Sequence, residues 1–507
     1  MAWIELQDLL LSKIDNFGNL NNSQASWETI LIDLIESDLV SERRVNLING
    51  ENYYNCHADI VNKLRVYMVE ENGMTVEKID TLAVNNIVQR NFLKNIIDQK
   101  VGYLCGKPVT INSDDNNNLN DILTVYIDNN FHDLLNTTVR NASYKGSELW
   151  QIYVDELGAF KYKLVDQNKN YLCIYNDVDN QVIDFVICYY SLIGDSDLYI
   201  EVYDREKVSY YQKYKDPVSN VEKIILDINY DPNPRSHFYF EFNEIINDDI
   251  TNIGVVNNIN LNLCNPVIEN YSWNRVPFIE FRNNYERNSD LNTAKSMIDS
   301  YNRISSETAD NFSDIQQTAY VVKNYQKDIN HSFLTNLKNF KVVNVGDDGG
   351  VTPLYTKIDQ VDVESRLQRL EKDIYSSMQA VNNSNDIFNN APSGITLKIM
   401  YQELDLKCNI MERRLEKAIN EFVSFLTQYL LIVTQNVDLT NEDVNIVFNK
   451  TMTVNEMEKI EMINMSGWLS QQTLLENHPF VKDVAEEILR IKNDQQQTSL
   501  IQTQTKI

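Results

Sequence analysis

The sequence predicts an α+β chain: a mixed helix-and-strand body joined to helices too long for that body to enclose. Three observations point there. From about 143 to 243, β-branched and aromatic residues recur with a period of two, divided by Asp, Asn and Gly turns, the pattern of an antiparallel meander. From Ile395 to about Gln435 a helical apolar pattern runs without Gly or Pro, making a helix roughly 60 Å long. The chain has 507 residues, enough for roughly three or four units.

Composition removes several classes. There are 45 basic and 73 acidic side chains, a net charge of −28 with pI near 4.6, so no broad basic face is available to grip phosphate. Mean hydropathy is −0.39, and no apolar run approaches the ~18 residues of a membrane span. The N-terminal MAWIELQDLLLSKIDNF carries early acids and no basic start, and reads as an amphipathic helix rather than a signal peptide. Six cysteines (56, 105, 173, 188, 264, 408) show no CxxC pair or metal-ligand spacing, so reduced thiols are expected. A membrane protein, a disulfide scaffold and a zinc ribbon are set aside.

Taken in order, residues 1–40 alternate apolar helical runs with polar breaks. Phe92, Ile96, Ile97, Val101 and Leu104 recur at helical spacing, and Gly106 with Pro108 stops that helix. The stretch 113–121 lacks periodicity and reads as an exposed loop. The meander follows, then an acidic, weakly patterned stretch to about 270. Ser289 is read as the N-cap of a helix of about 27 residues, ~40 Å long. A β-like block occupies 318–358 and a second helix 363–381. The loop 382–394 leads into the long third helix, where Met400, Leu404, Met411, Leu415, Phe422 and Leu426 form a seam at spacings of four and seven. The tail QQQTSLIQTQTKI is expected to be disordered. Helices of this length expose apolar stripes that one chain has little to cover, which points to an oligomer.

No catalytic constellation emerges. Gly102–Lys107 has three residues between its glycines, where a phosphate loop needs four, and Pro108 follows the lysine. Asp177-Val-Asp179 lacks the Gly and Glu of a calcium loop and reads as a hairpin turn, as does Asp347-Asp348-Gly349-Gly350. The five histidines (57, 132, 237, 331, 478) have no HExxH partner. No cofactor or metal is assigned. Between Tyr320 and Lys357, five lysines (Lys323, Lys327, Lys338, Lys341, Lys357) face three acids, a locally positive block in an acidic chain. Two readings stand for it: a solvated β surface, or a face for an acidic partner or DNA.

Six segments in order resemble a known family: GENYY (50–54), NFLKNIIDQKVGYLCGKPVTI (91–111), YKGSELWQIYVDELG (144–158), NRVPFIEFRNN (274–284), SDLNTAKSMIDSYN (289–302) and SGITLKIMYQELDLKCNIMERRLEKAI (393–419). The chain is similar to the portal proteins of tailed bacteriophages, in the SPP1-like group, from about residue 40 to 490. That resemblance implies the portal fold: an α/β wing, long stem helices, a small β-containing clip and a helical crown, in a ring usually of twelve copies. The wing would be 1–288, the stem 289–315 and 359–381, the clip 316–358, the tunnel loop 382–394, the wing-to-crown helix 395–435 and the crown 436–494, with a disordered tail at 495–507. It also implies a non-enzymatic component of the virion at one capsid vertex, assembled in the host cytoplasm. Double-stranded DNA would be packaged and ejected through it. Its partners would be the large terminase, a head-completion adaptor, and major capsid and scaffolding proteins, with no membrane involved.

On this reading the clip lysines would meet the terminase and then the adaptor. The tunnel loop, with Asn383, Asn385, Asp386, Phe388, Asn389 and Asn390, would touch passing DNA. Its residues 382–390 hold no Lys or Arg, so they form no counterion-releasing phosphate contacts, as a low-friction channel requires. The same residues also suit a plain solvated connector. Lys398, one turn into the next helix, is the nearest cation and a candidate phosphate contact. The competing classes are another head–tail component, such as an adaptor or minor capsid protein, and an enzymatic packaging subunit, against which the missing nucleotide motif counts.

Overall fold

The computed structural model describes residues 27–240 and 269–313 apart from short stretches, then 318–323, 350–355, 360–382, 394–434 and 444–450, with isolated residues between 439 and 491. The expected N-terminal helix, the Asp177-Val-Asp179 turn, Asp347 to Gly349, most of the crown and the 495–507 tail lie outside the described residues.

Two helices open the described chain, α1 (Trp27–Leu39) and α2 (Glu42–Tyr54). Ser41 ends one and caps the other, accepting the Arg44 N–H. A hairpin of β1 (Val66–Glu71) and β2 (Met74–Ile79) follows. Helix α3 (Phe92–Cys105) is capped by Asn91 and buries Phe92, Ile96, Ile97, Val101 and Leu104, the stripe its periodicity predicts. Beyond β3 (Thr110–Asn112) the exposed loop expected at 113–121 is half wrong. Asn116 accepts the N–H groups of Asn118 and Leu119 and starts α4 (Asn117–Tyr126), which buries Leu119, Ile122 and Leu123. Helix α5 (Asn129–Lys145) ends at Gly146, whose φ of +101° and 2.0 Å Cβ position from the Arg287 carbonyl leave room for no side chain.

The period-two region forms two sheets, where one meander was expected. In the first, β4 (Ser147–Val154) lies between β5 (Phe160–Leu164) and β14 (Phe278–Arg282), a strand from far along the chain. In the second, β6 (Asn170–Tyr175), β7 (Ile183–Ser191), β8 (Leu198–Tyr203), β9 (Lys207–Lys215) and β10 (Glu222–Leu226) run antiparallel in sequence order, with β11 (Arg235–Ser236) added to β9. The division follows what covers each sheet. Leu31, Leu34 and Ile35 of α1 pack on Ile187, Tyr189 and Ile200 of the second. The first joins the main core through Trp150, Phe281 and the α5 face. A short pair, β12 (Phe238–Phe240) with β13 (Glu269–Tyr271), flanks them.

Ser289 does act as a cap, but of a 3₁₀ turn over Asp290–Thr293. Ala294 at φ −127° breaks the backbone there, and the helix proper, α6, is Lys295–Ser313, shorter than expected. Strands β15 (Thr318–Lys323) and β16 (Gly350–Tyr355) pair antiparallel, matching the β-like block at its two ends. Helix α7 (Gln360–Ser377) packs on α6. Helix α8 (Gly394–Thr434) has 41 residues, ~61 Å at 1.5 Å each. Of its predicted seam, Leu404, Met411, Leu415, Phe422 and Leu426 are buried and Met400 is half-buried. Strand β17 (Asn445–Val447) closes on β3.

The core centres on Trp150, whose indole N–H donates to Thr138 Oγ1 at 2.7 Å. Phe131, Tyr162, Phe281 and Phe422 surround it with ring centroids 4.5–6.0 Å away. The mixed α+β character expected from the sequence is therefore what the structure has.

Candidate functional site

The loop residues Asn383, Asn385, Asp386, Phe388, Asn389 and Asn390 lie outside the described residues, as do Lys327, Lys338, Lys341 and Lys357. Lys323 ends β15, its backbone paired with Gly350. Lys398 sits in the second turn of α8 and is exposed. What the structure does describe is the joint on both sides of the loop, and several of its members were not anticipated.

Helix α7 ends in a left-handed residue that is not glycine: Gln379 has φ +54°. Its N–H donates to the Ser376 carbonyl at 3.0 Å and the Ala380 N–H to the Tyr375 carbonyl at 2.9 Å, the paired bonds of a Schellman cap. The chain is then seized by α3. The Val381 N–H donates to Gln99 Oε1 at 3.0 Å, and Gln99 Nε2 donates back to the Val381 carbonyl at 3.1 Å. Helix α8 adds a third hold, Lys407 Nζ donating to the Met378 carbonyl at 2.9 Å.

Lys407 belongs to a buried polar cluster. Its ammonium lies 3.1 Å from Asp290 Oδ2, and Lys100 of α3, 1% exposed, lies 3.2 Å from the same oxygen. Lys100 also donates to Asn283 Oδ1 at 2.5 Å, and Asn283 Nδ2 donates to Asp290 Oδ1 at 2.9 Å. Two ammonium groups thus share one carboxylate. Burial alone would raise the Asp290 pKa, but Lys100 and Lys407 outweigh it and hold the group at about 2. For Lys100 burial is the larger effect; with Lys407 adding repulsion, it pushes the ammonium below its usual range despite Asp290. Such a charge is tolerated in a core only because every partner is in place.

Nearer the middle of α7, Arg90 grips Glu371 with two bonds of 2.6 and 2.8 Å and lies over the Phe92 ring at 4.9 Å. At the far end of α6, the fully buried Asp310 side chain accepts from Lys63 at 2.5 Å, Arg65 at 2.6 Å and the Asn86 N–H at 2.6 Å. Both helices are therefore tied to the body by ion pairs as well as packing. A cavity of about 620 Å³ opens between α3, the end of α7 and α8, lined by Arg90, Asn95, Gln99, Tyr375, Val381, Asn382 and Tyr401.

One sequence signal for this cluster was available: Lys100 falls on the apolar face of α3, four residues after Ile96 and four before Leu104, a place that demands a buried acid. Asp290, next to the cap Ser289, had only a helix-start reading. Elsewhere, His237 accepts the Trp273 N–H and contacts the Asp204 carbonyl, a packed structural histidine. Among the described residues no three His, Cys, Asp or Glu side chains gather as a metal would need, and no helix is long and apolar enough to cross a membrane. The five described cysteines are free thiols.

The family described as phage portal protein, SPP1 Gp6-like, matches residues 38–499. The portal protein of Bacillus phage SPP1 is 32% identical over 463 residues, covering 90% of this chain and 85% of that protein. The portal protein of Clostridium phage phiCD119 is 25% identical over 465 residues, 88% of this chain and 91% of its own length. The chain belongs to the SPP1 Gp6-like family of phage portal proteins. Members of that family are structural components of the virion at its capsid.

Proposed function

We propose that the chain assembles as a ring of twelve copies at a single capsid vertex and conducts double-stranded DNA inward during packaging and outward at ejection. The observation that carries this reading is the helix plan within a family match spanning 38–499: α6 and α7 pack side by side, and α8 begins at the end of the 382–394 segment. In this scheme 1–288 is the wing, 289–315 and 359–381 the stem, 316–358 the clip, 382–394 the tunnel loop, 395–435 the helix to the crown and 436–494 the crown. The large terminase docks on the clip, through Lys323, Lys327, Lys338, Lys341 and Lys357, and a head-completion adaptor replaces it. Major capsid and scaffolding proteins surround the wing. DNA passes Asn383, Asn385, Asp386, Phe388, Asn389 and Asn390 without being held, and Lys398 supplies a phosphate contact. The ring itself performs no catalysis, and a separate ATPase supplies the work.

Excision of 383–393, with a short flexible replacement, tests the tunnel assignment. Rings that form normally and fail to fill capsids with DNA support it. Rings that package as before remove the loop from the translocation path. Replacing the clip lysines by Glu separately tests the docking surface, with loss of terminase co-sedimentation expected and unchanged co-sedimentation overturning it.

A further inference from the structure

We infer that Gln99 and Lys407 are positioning residues that fix where, and in which direction, the chain leaves the end of α7 toward the 382–394 segment. The inference rests on the tunnel reading for its functional half and on geometry for its structural half. Gln99 satisfies both the N–H and the carbonyl of one residue, Val381, across 282 positions of sequence. A side-chain amide matched to both groups at once fixes the two peptide planes that flank the Val381 Cα, because rotating either plane breaks one of the two bonds.

Packing holds the Val381 side chain in place, and the hydrogen bonds add the direction of the backbone, which non-directional apolar contact does not set. Val381 itself is buried in the main core, while beyond it Asn382 borders a cavity of about 620 Å³ that Gln99 and Tyr401 also line. Lys407 supplies the second point of attachment. Its bond to the Met378 carbonyl satisfies a group that the helix end leaves open, and its other partner, Asp290, is anchored in turn by Lys100 and Asn283. Lys407 lies 13 residues after Gly394, about three and a half turns or ~20 Å along α8. The two helices that bracket the segment are therefore referenced to one buried cluster, and that cluster is seated on α3 of the body. A shift of α3 against α8 would re-aim the chain between them.

The test uses the full chain in rings and in the packaging reaction. Gln99→Ala is expected to assemble and to melt within a few degrees of the parent, while amide exchange in the peptide covering Met378–Asn382 rises at least tenfold. DNA packaged per capsid is expected to fall severalfold. Gln99→Glu, which can accept from Val381 but not donate to it, should behave like the alanine variant. Lys407→Arg keeps the charge and should recover packaging that Lys407→Met loses. Unchanged exchange in Gln99→Ala overturns the clamp. Raised exchange with full packaging overturns its role in positioning. If the chain lacking 383–393 packages normally, the tunnel reading has failed, a result distinguishable because the exchange measurement does not depend on it.

Discussion

The two ends of helix α8 live in different environments. Its C-terminal half drives Leu415, Ile419, Phe422, Phe425 and Leu426 into the aromatic core, each completely buried. Its N-terminal half buries Leu404 and Cys408 on one side but leaves Ile399 64%, Leu406 54% and Ile410 56% exposed on the other. Helix α7 is barer still, with Ile374 the one residue among its 18 to be buried. One chain thus supplies a core for half of its longest helix and leaves a row of aliphatic residues at spacings of seven and four unmatched on the rest. The contrast separates a half that the chain buries by itself from a half whose aliphatic row stays exposed, the face that the proposed ring would cover.

The sharpest way to break this comparison is to truncate the core half. Phe422→Ala removes a ring packed on Phe131, Trp150, Phe160 and Tyr162, and should cost about 3–5 kcal/mol in denaturant unfolding. A loss under ~1 kcal/mol would show that the core is not centred there. Next in size, Asp290→Asn strands two lysines and should cost about 3 kcal/mol, with Lys100→Met in the same chain restoring part of it.

Acid should reach the same cluster. Asp290 has a folded pKa near 2 against the 3.8 of an unfolded aspartate, so it stabilises above pH 4 and loses that contribution as pH falls from about 4 to 2. The amount is about 2 kcal/mol, and Asp290→Asn should flatten that part of the pH–stability curve. A curve equally steep in the variant would assign the acid sensitivity elsewhere. Smallest for the isolated chain is the exposed ridge: Ile399→Ser, Leu406→Ser and Ile410→Ser should each change monomer stability by less than ~0.5 kcal/mol yet weaken ring formation together. Equal assembly in the triple variant would mean that the ridge faces solvent.

What was legible in the sequence follows the range of the interactions. The stripe Phe92–Leu104 and the α8 seam are local periodicities, and the structure buries them as expected. Helix α4 was hidden because asparagines dominate 116–120 and only the Asn116 cap, with Leu119, Ile122 and Leu123 behind it, marks a helix. The meander reading holds for β6 to β10, which pair antiparallel in sequence order, but not for β4 and β5, which form a separate sheet with β14, recruited from more than a hundred residues away with no local pattern to announce it. The joint was legible only in Lys100 on the apolar face of α3; its partners were not, because Gln99 meets Val381, and Lys100 and Lys407 share Asp290, only once α3, the 3₁₀ turn and α8 are folded together. Asn383 to Asn390 and most clip lysines lie outside the described residues.

The central claim is that the unmatched halves of these helices are completed by copies of the same chain around a channel. The direct test is the mass of the purified protein in solution with negative-stain imaging of the same sample, repeated with scaffolding and capsid protein present. The account predicts rings with a central hole and a mass near twelve times 59.0 kDa. A chain that stays monomeric or dimeric under both conditions would contradict it.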